Sequence, residues 1–235
     1  MTTPGLDIIG TALADSSRSR MLCELMDGRA FTNKELACVA NIAPQTASAH
    51  LKHLEAVGLT TSLRSGRCVY HRIANENVAI VMEHLANLTP VENLQQQHAK
   101  VRHLPGADTM RARSCYNHIA GRLGVLLTER LAATHILSID AGHVVVGPAA
   151  EAFFHNMGIT PPLDNGKKPI VKLCLDWTER KHHISGPFAT TLMSAWLEKG
   201  WLRRFAHSRA LDITTEGYQI FERELGLTHK AINAQ

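Results

Sequence analysis

A mainly α-helical fold with small β-hairpins (α+β), divided into two domains, is what this 235-residue sequence predicts. Three observations carry it. Residues 32–73 run through helical and strand-like signals in a fixed order. Residues 95–110 lose all periodicity around Pro105-Gly106. The remainder repeats a His-Ile-X-Gly signature at 118 and 183, an offset of 183 − 118 = 65 residues.

Thr32 and Glu35 form a capping box, which satisfies exposed N–H groups where a helix begins. Leu36, Val39 and Ala40 follow at core-facing spacing. Asn41 to Pro44 supply turn chemistry, with Pro44 suited to the first position of a new helix. In that second helix Ala47, Leu51 and Leu54 recur at i, i+4 and i+7, which leaves Gln45, Thr46, Ser48, Ala49 and Lys52 pointing outward, with His50 beside them. Small hydroxyls and one amide let a backbone approach base edges, and a lysine can reach a phosphate. Gly58 ends the helix. LTTSLRSGRCVYHRI then reads as two β-rich runs around Arg64-Ser65-Gly66-Arg67, a hairpin tip carrying two arginines. Helix, tight turn, helix and basic hairpin together make a winged helix-turn-helix, whose second helix enters the major groove of double-stranded DNA.

Charge placement agrees. The chain carries 25 Lys and Arg against 21 Asp and Glu, a formal net charge of +4. Between residues 32 and 73 five basic residues (34, 52, 64, 67, 72) face Glu35 and Glu55, a local surplus of 5 − 2 = 3. Residues 1–31 and 74–100 are net acidic. The positive charge therefore sits on the segment that would neutralise phosphate. The five cysteines, widely spaced and odd in number, argue against a disulfide framework. MTTPGLDIIG lacks the basic start and apolar run of a signal peptide, and no stretch approaches a membrane span, so a cytoplasmic location without a membrane partner is expected.

The order of these motifs, with ASAHLKHLEAVGL and GRCVYHRI, resembles the DNA-binding domain of the ArsR/SmtB family of bacterial repressors. LADSSRSRMLCELMDG matches that family's opening helix, so the likeness spans roughly the first 90 residues. The resemblance implies a homodimer that represses transcription from an inverted-repeat operator. It assigns the dimer surface to the helix at about Asp15 to Met26 and the helix at about Asn77 to Leu88. The residues are compatible with that: Met21, Leu22, Leu25 and Met26 form one apolar stripe, and Val78, Val81, Met82 and Leu85 another. The alternative is that both stripes are core within one chain. The chain departs from the family at Ala43, where a capping serine is usual, and at Leu36-Ala37-Cys38-Val39-Ala40, where metal-sensing members carry a C-x-C pair. His84 and His98 stand alone, so the family's second metal site is also missing. Cys23, Cys38 and Cys68 are accordingly expected to be small apolar residues.

The domain reading is 1–94 for DNA binding and dimerisation, 95–110 for a linker, and 111–235 for a sensor domain built of two winged-helix-like repeats, 111–161 and 172–235. His118-Ile119-Ala120-Gly121 is expected to open a helix ending near Leu137, and His183-Ile184-Ser185-Gly186 another ending near Leu202, each followed by a β-like run and a further helix. A cysteine precedes each repeat, Cys115 and Cys174. On a helix Cys115 and His118 would share a face. Should the repeats pack about a pseudo-two-fold axis, Cys174 and His182 or His183 would join them in a set that suits zinc. No C-x-x-C pairing supports that, and the sequence assigns no metal site and no cofactor. Three other readings stay open: a thiol switch tuned by Arg111, Arg113, Arg180 and Lys181, a small-molecule pocket walled by Trp177, Trp196, Trp201 and Phe188, or plain core filling.

The function expected is a sequence-specific transcriptional regulator released from its operator by a small-molecule effector or by thiol modification. A winged-helix protein-interaction adaptor is the alternative. An enzyme with a fused DNA-binding module has little behind it, since there is no phosphate loop, G-x-S-x-G or H-E-x-x-H, and Asp176-Trp177-Thr178-Glu179 is a catalytic candidate by residue type alone.

Overall fold

The computed structural model describes residues 5–88, 107–163, 166, 169–205 and 208–234. Most of the expected linker, and His98 with it, lies outside them. Contacts divide the chain into two compact units, Met1–Val81 and Met82–Gln235. The division falls inside a helix that the sequence reading places wholly in the first domain.

The first unit begins with α1 (Leu6–Leu13) and α2 (Ser16–Leu25), the latter capped by Asp15, whose carboxylate accepts from the N–H groups of Ser17 and Arg18 at 2.9 Å. A two-residue strand β1 (Phe31–Thr32) leads into α3 (Asn33–Ala40). There the expected capping box is formed: Thr32 N–H donates to Glu35 at 2.7 Å and the Glu35 N–H returns to Thr32 Oγ1. Asn41 ends α3 in the left-handed conformation, φ 54°. The second helix of the helix-turn-helix, α4 (Pro44–Ala56), follows with proline in its first turn and no side-chain cap from Ala43. Strands β2 (Thr60–Ser65) and β3 (Cys68–Ile73) form the wing, with Ser65 opposite Cys68 and β1 added antiparallel to β3, in the order β1-β3-β2. The helix after the wing is α5 (Glu76–Leu88).

Met21, Leu22 and Leu25 of α2, Leu36 of α3, Leu51 and Leu54 of α4 and Ile73 of β3 are sealed in one core. Each fully buried side chain of this kind stabilises the fold by about 1.5–3 kcal/mol. The apolar stripe of α2 is thus internal packing. Cys23, Cys38 and Cys68 are exposed, against the expectation of small core residues.

His71, opposite Phe31 and Ser62, is 8% exposed, and burial holds its imidazole below the usual 6.5, with Glu55 pulling weakly the other way. The unfolded chain therefore binds this proton more readily than the folded one. The stability that neutral His71 contributes is complete above pH 6.5 and is lost as pH falls further. Urea unfolding of this unit, followed by circular dichroism, is expected to weaken between pH 7 and about 5.5, and less steeply in His71→Gln. Identical profiles would count against a buried neutral histidine.

The second unit carries the internal repeat. After α6 (Ala107–Arg111), the first copy runs β4 (Arg113–Cys115), β5 (His118–Ala120), α7 (Gly121–Ala133), β6 (Leu137–Asp140), β7 (His143–Val146) and α8 (Ala150–Asn156). The second runs β8 (Lys172–Leu175), β9 (His182–Ser185), α9 (Pro187–Glu198), β10 (Leu202–Arg204), β11 (Leu211–Ile213) and α10 (Thr215–Leu225), with α11 (His229–Asn233) closing the described chain. Each copy is hairpin, helix, hairpin, helix, so the 65-residue offset reflects a true structural duplication. The reading that placed His118 and His183 at helix starts needs correction. Both lie on strands, and the helices begin at Gly121 and Pro187. Gly121 and Gly186, the fourth residues of the two signatures, have φ of 75° and 83°, a turn from strand to helix that a side chain at these positions would strain.

The copies interlock. β4 forms a bridge from Arg113 to Ala210, beside β11 of the other copy, while β8 packs next to β7. Leu123, Leu127, Phe154, Phe188, Leu192, Trp196 and Phe221 belong to the shared core, with the Trp196 and Phe221 rings 4.4 Å apart. Within this unit Arg209 also pairs with the buried Glu83 at 3.3 Å.

Candidate nucleic-acid interface and a buried cysteine-histidine centre

On α4 the burial pattern matches the helical spacing. Ala47, Leu51 and Leu54 are inside, Gln45, Thr46, Ala49 and Lys52 are exposed, and Ser48 is half-buried at the margin. Arg64 and Arg67 stand exposed at the wing tip. His50 departs from the expected set. Its Nδ1 accepts from the Arg18 guanidinium at 3.1 Å, and its Nε2 lies 3.9 Å from Asp15. It braces α4 against α2 instead of presenting a free edge to DNA, a contact that helical spacing alone could not reveal.

Of the expected dimer residues, Met21 and Leu25 have no exposed surface and lie in the core of their own chain. Val81 and Leu85 are 53% and 39% exposed, while Val78 and Met82 are half-buried, so an apolar stripe on α5 faces outward in the single chain.

In the second unit Cys115, His118, Cys174 and His183 converge. All four are buried, and one ligand atom from each lies within 4.8 Å of every other. The register explains how. Cys115 is directly opposite His118 across the β4–β5 hairpin, and Cys174 is directly opposite His183 across β8–β9. Cross-strand partners project from one face about 4.5–5.5 Å apart at Cβ, so each hairpin offers a sulfur and a nitrogen side by side. The pseudo-symmetry of the copies then brings β5 against β9, with His118 Nε2 3.0 Å from His183 Nε2. The three-residue spacing of Cys115 and His118 signalled proximity correctly. Its cause is a tight turn at Tyr116, φ 57°, not a helical face.

A charged network orients the centre. Asp176 Oδ2 lies 3.2 Å from His183 Nδ1 and accepts from Gly121 N–H at 2.7 Å. Its Oδ1 accepts from Arg113 at 2.9 Å and from the Thr178 hydroxyl at 2.7 Å. Arg113 and Asp176 are both fully buried, and the half-buried Trp177 ring covers the Arg113 guanidinium at 5.0 Å. Thr128 of α7 accepts from Ile184 N–H on β9, and a side chain added at Gly124 would strike the Ile119 carbonyl, so only glycine lets α7 lie this close.

The protonation pattern follows from these contacts. Burial alone would lower His183, yet Asp176 and the Cys174 sulfur hold it up at about 9. Burial lowers His118. A hydrogen bond from the Cys115 thiol, aided by both histidines, pulls Cys174 far down, and the same bond with burial pushes Cys115 up. Burial opposes ionisation of Asp176, but His183 and Arg113 keep its carboxyl well below the ordinary range. Of the four basic residues expected to tune the thiols, Arg113 is paired with Asp176 and Lys181 with Glu129 at the surface.

Sequence reasoning named the four converging residues, but cast Arg113 only as a tuner of the thiols and Asp176 only as a catalytic candidate, and did not join the two to each other or to His183. The alternation Cys174-Leu175-Asp176 was the available signal. Trp196 and Phe188, two of the four expected pocket walls, are fully buried core residues.

No protein-family model matches the chain. It is 37% identical over 229 residues, 95% of its length and 98% of the relative's, to YdfF of Bacillus subtilis, named an uncharacterised HTH-type transcriptional regulator. Solved structures similar to part of it include the cadmium metal-sensor CMTR of Mycobacterium tuberculosis, 32% identical over 34% of this chain and 81% of that one, TM-score 0.29. They also include the homodimeric winged helix-turn-helix DNA-binding domain Mb0332 of Mycobacterium bovis, 26% identical over 43% of this chain and 94% of that one, TM-score 0.31. With a winged helix-turn-helix in its first unit and a regulator as relative along nearly the whole of both chains, the protein belongs to the HTH-type transcriptional regulators.

Proposed function

We propose that the protein is a dimeric repressor that reads an inverted-repeat operator through α4 and the wing, and is released by an effector or thiol modification in residues 111–235. The observation that carries the reading is the outward face of α4, where Gln45, Thr46 and Ala49 stand exposed above the buried Ala47, Leu51 and Leu54, flanked by Arg64 and Arg67. A two-fold dimer presents two such helices about one turn of B-DNA apart, which gives half-site spacing a geometric origin. Cys115 and Cys174 are the thiols on which release would depend. Any effector must favour the DNA-free form, and a tenfold loss of operator affinity requires about 1.4 kcal/mol of differential binding.

Base-reading and phosphate-holding residues fail differently, which supplies the test. Gln45→Ala or Ser48→Ala is expected to cost about 1–3 kcal/mol on the cognate operator and little on random DNA. Arg64→Ala/Arg67→Ala is expected to weaken both and to flatten the dependence of log K on log salt by about one unit per lost phosphate contact. Fluorescence anisotropy over a salt series measures both. A double variant with an unchanged slope would remove the wing from the interface, and absence of salt-dependent binding in the wild type would overturn the reading.

A further inference from the structure

We propose that Cys115, His118, Cys174 and His183 together bind one zinc ion per chain, in a closed tetrahedral site that joins the two repeats. This goes beyond the regulator reading and stands without it, because the site needs no operator.

Four features of the centre point to a metal. The donor set is two sulfurs and two imidazole nitrogens, which suits a soft, tetrahedral divalent ion and not magnesium or calcium, which take oxygen ligands. All four groups are buried and each repeat supplies one sulfur and one nitrogen, so the coordination shell is complete in protein ligands with no position left open. That is the arrangement of structural zinc sites. His183 is oriented as a ligand: with Nδ1 held beside Asp176 at 3.2 Å, its Nε2 points at His118 Nε2, 3.0 Å away. A carboxylate behind a histidine is the usual outer partner of a zinc-bound imidazole, fixing its tautomer and ring plane. Finally, Arg113, Thr178 and Gly121 N–H hold Asp176 in turn, so the outer layer is as well defined as the ligands.

Apolar side chains could join two hairpins with no desolvation penalty, whereas four convergent polar groups in a core are costly unless something satisfies them together. A zinc ion does so. Binding requires both sulfurs as thiolates and both coordinating nitrogens free of protons, so protons leave as the ion enters and no redox change occurs.

The full-length protein, purified without added chelator, is expected to contain about one zinc per chain by elemental analysis. After metal removal, cobalt(II) is expected to bind with the intense visible bands of a tetrahedral site and with sulfur-to-cobalt charge transfer in the near ultraviolet, both abolished by one equivalent of zinc. Cys23→Ser/Cys38→Ser/Cys68→Ser is expected to keep full occupancy, since those thiols lie elsewhere. Cys174→Ser and His183→Ala are expected to lose at least nine-tenths of it. Should those variants not fold, His118→Cys preserves four ligands and is expected to bind cobalt with stronger charge transfer than the wild type. The proposal is overturned if wild-type protein holds no zinc and gives no tetrahedral cobalt spectrum, if Cys115→Ser/Cys174→Ser retains the metal, or if mild oxidation joins Cys115 to Cys174 while zinc fails to protect them. Operator binding plays no part in these readouts, so loss of the repressor reading would leave them intact.

Discussion

Asp176→Ala is expected to destabilise the second unit by about 3–5 kcal/mol, the cost of leaving a buried charge without its partner. Arg113 and Asp176 are fully buried and 2.9 Å apart, so removing the carboxylate strands the guanidinium in the core. The same substitution takes an acceptor from Thr178, Glu179 and Gly121 and releases His183. Trp177, Trp196 and Trp201 are the chain's three tryptophans, so fluorescence during urea unfolding reports on this unit alone. Asp176→Asn keeps the shape and one acceptor oxygen, and is expected to lose less. An unchanged urea midpoint in Asp176→Ala would mean that the network does not form in solution.

Introducing charge on the outer stripe of α5 is expected to weaken operator binding strongly without unfolding the chain. Val81 and Leu85 are 53% and 39% exposed in the single chain, so Val81→Glu/Leu85→Glu replaces no fully buried side chain. If that stripe is the dimer surface, burying two charges there without partners is prohibitive. The variant is expected to sediment as a folded monomer and to bind a two-half-site operator at least about 100-fold more weakly, about 2.7 kcal/mol. Its affinity for a single half-site should hardly change. A variant that stays dimeric with full affinity would place the interface elsewhere.

The first unit was legible in the sequence nearly element by element because its signals are local. The Thr32–Glu35 capping box, Asn41 at the end of α3, Pro44 at the start of α4, and the spacing of Ala47, Leu51 and Leu54 each act within a turn or two of helix. Where contacts cross between elements, local signals fall short. Met21 and Val81 both read as apolar stripe positions, yet only tertiary packing buries the first completely and leaves the second half exposed. His50 reads as part of the DNA-facing side, until Arg18, 32 residues earlier, claims its imidazole.

The second unit shows the division most clearly. By itself, the sequence determined that a duplication exists, through the two His-Ile-X-Gly signatures, and offered Cys115, His118, Cys174 and His182 or His183 as one set among several. A helix and a hairpin can each bring residues three apart together, so spacing could not choose between them for Cys115 and His118. Tertiary structure chose the hairpin: β4 takes its remaining partners from the other copy, at Arg209 and Ala210, which no local propensity encodes. The same interlocking set Cys174 beside Cys115 and selected His183 over its neighbour His182. Adjacent residues of a strand face opposite ways, and only the sheet's place in the core decides which of them points inward.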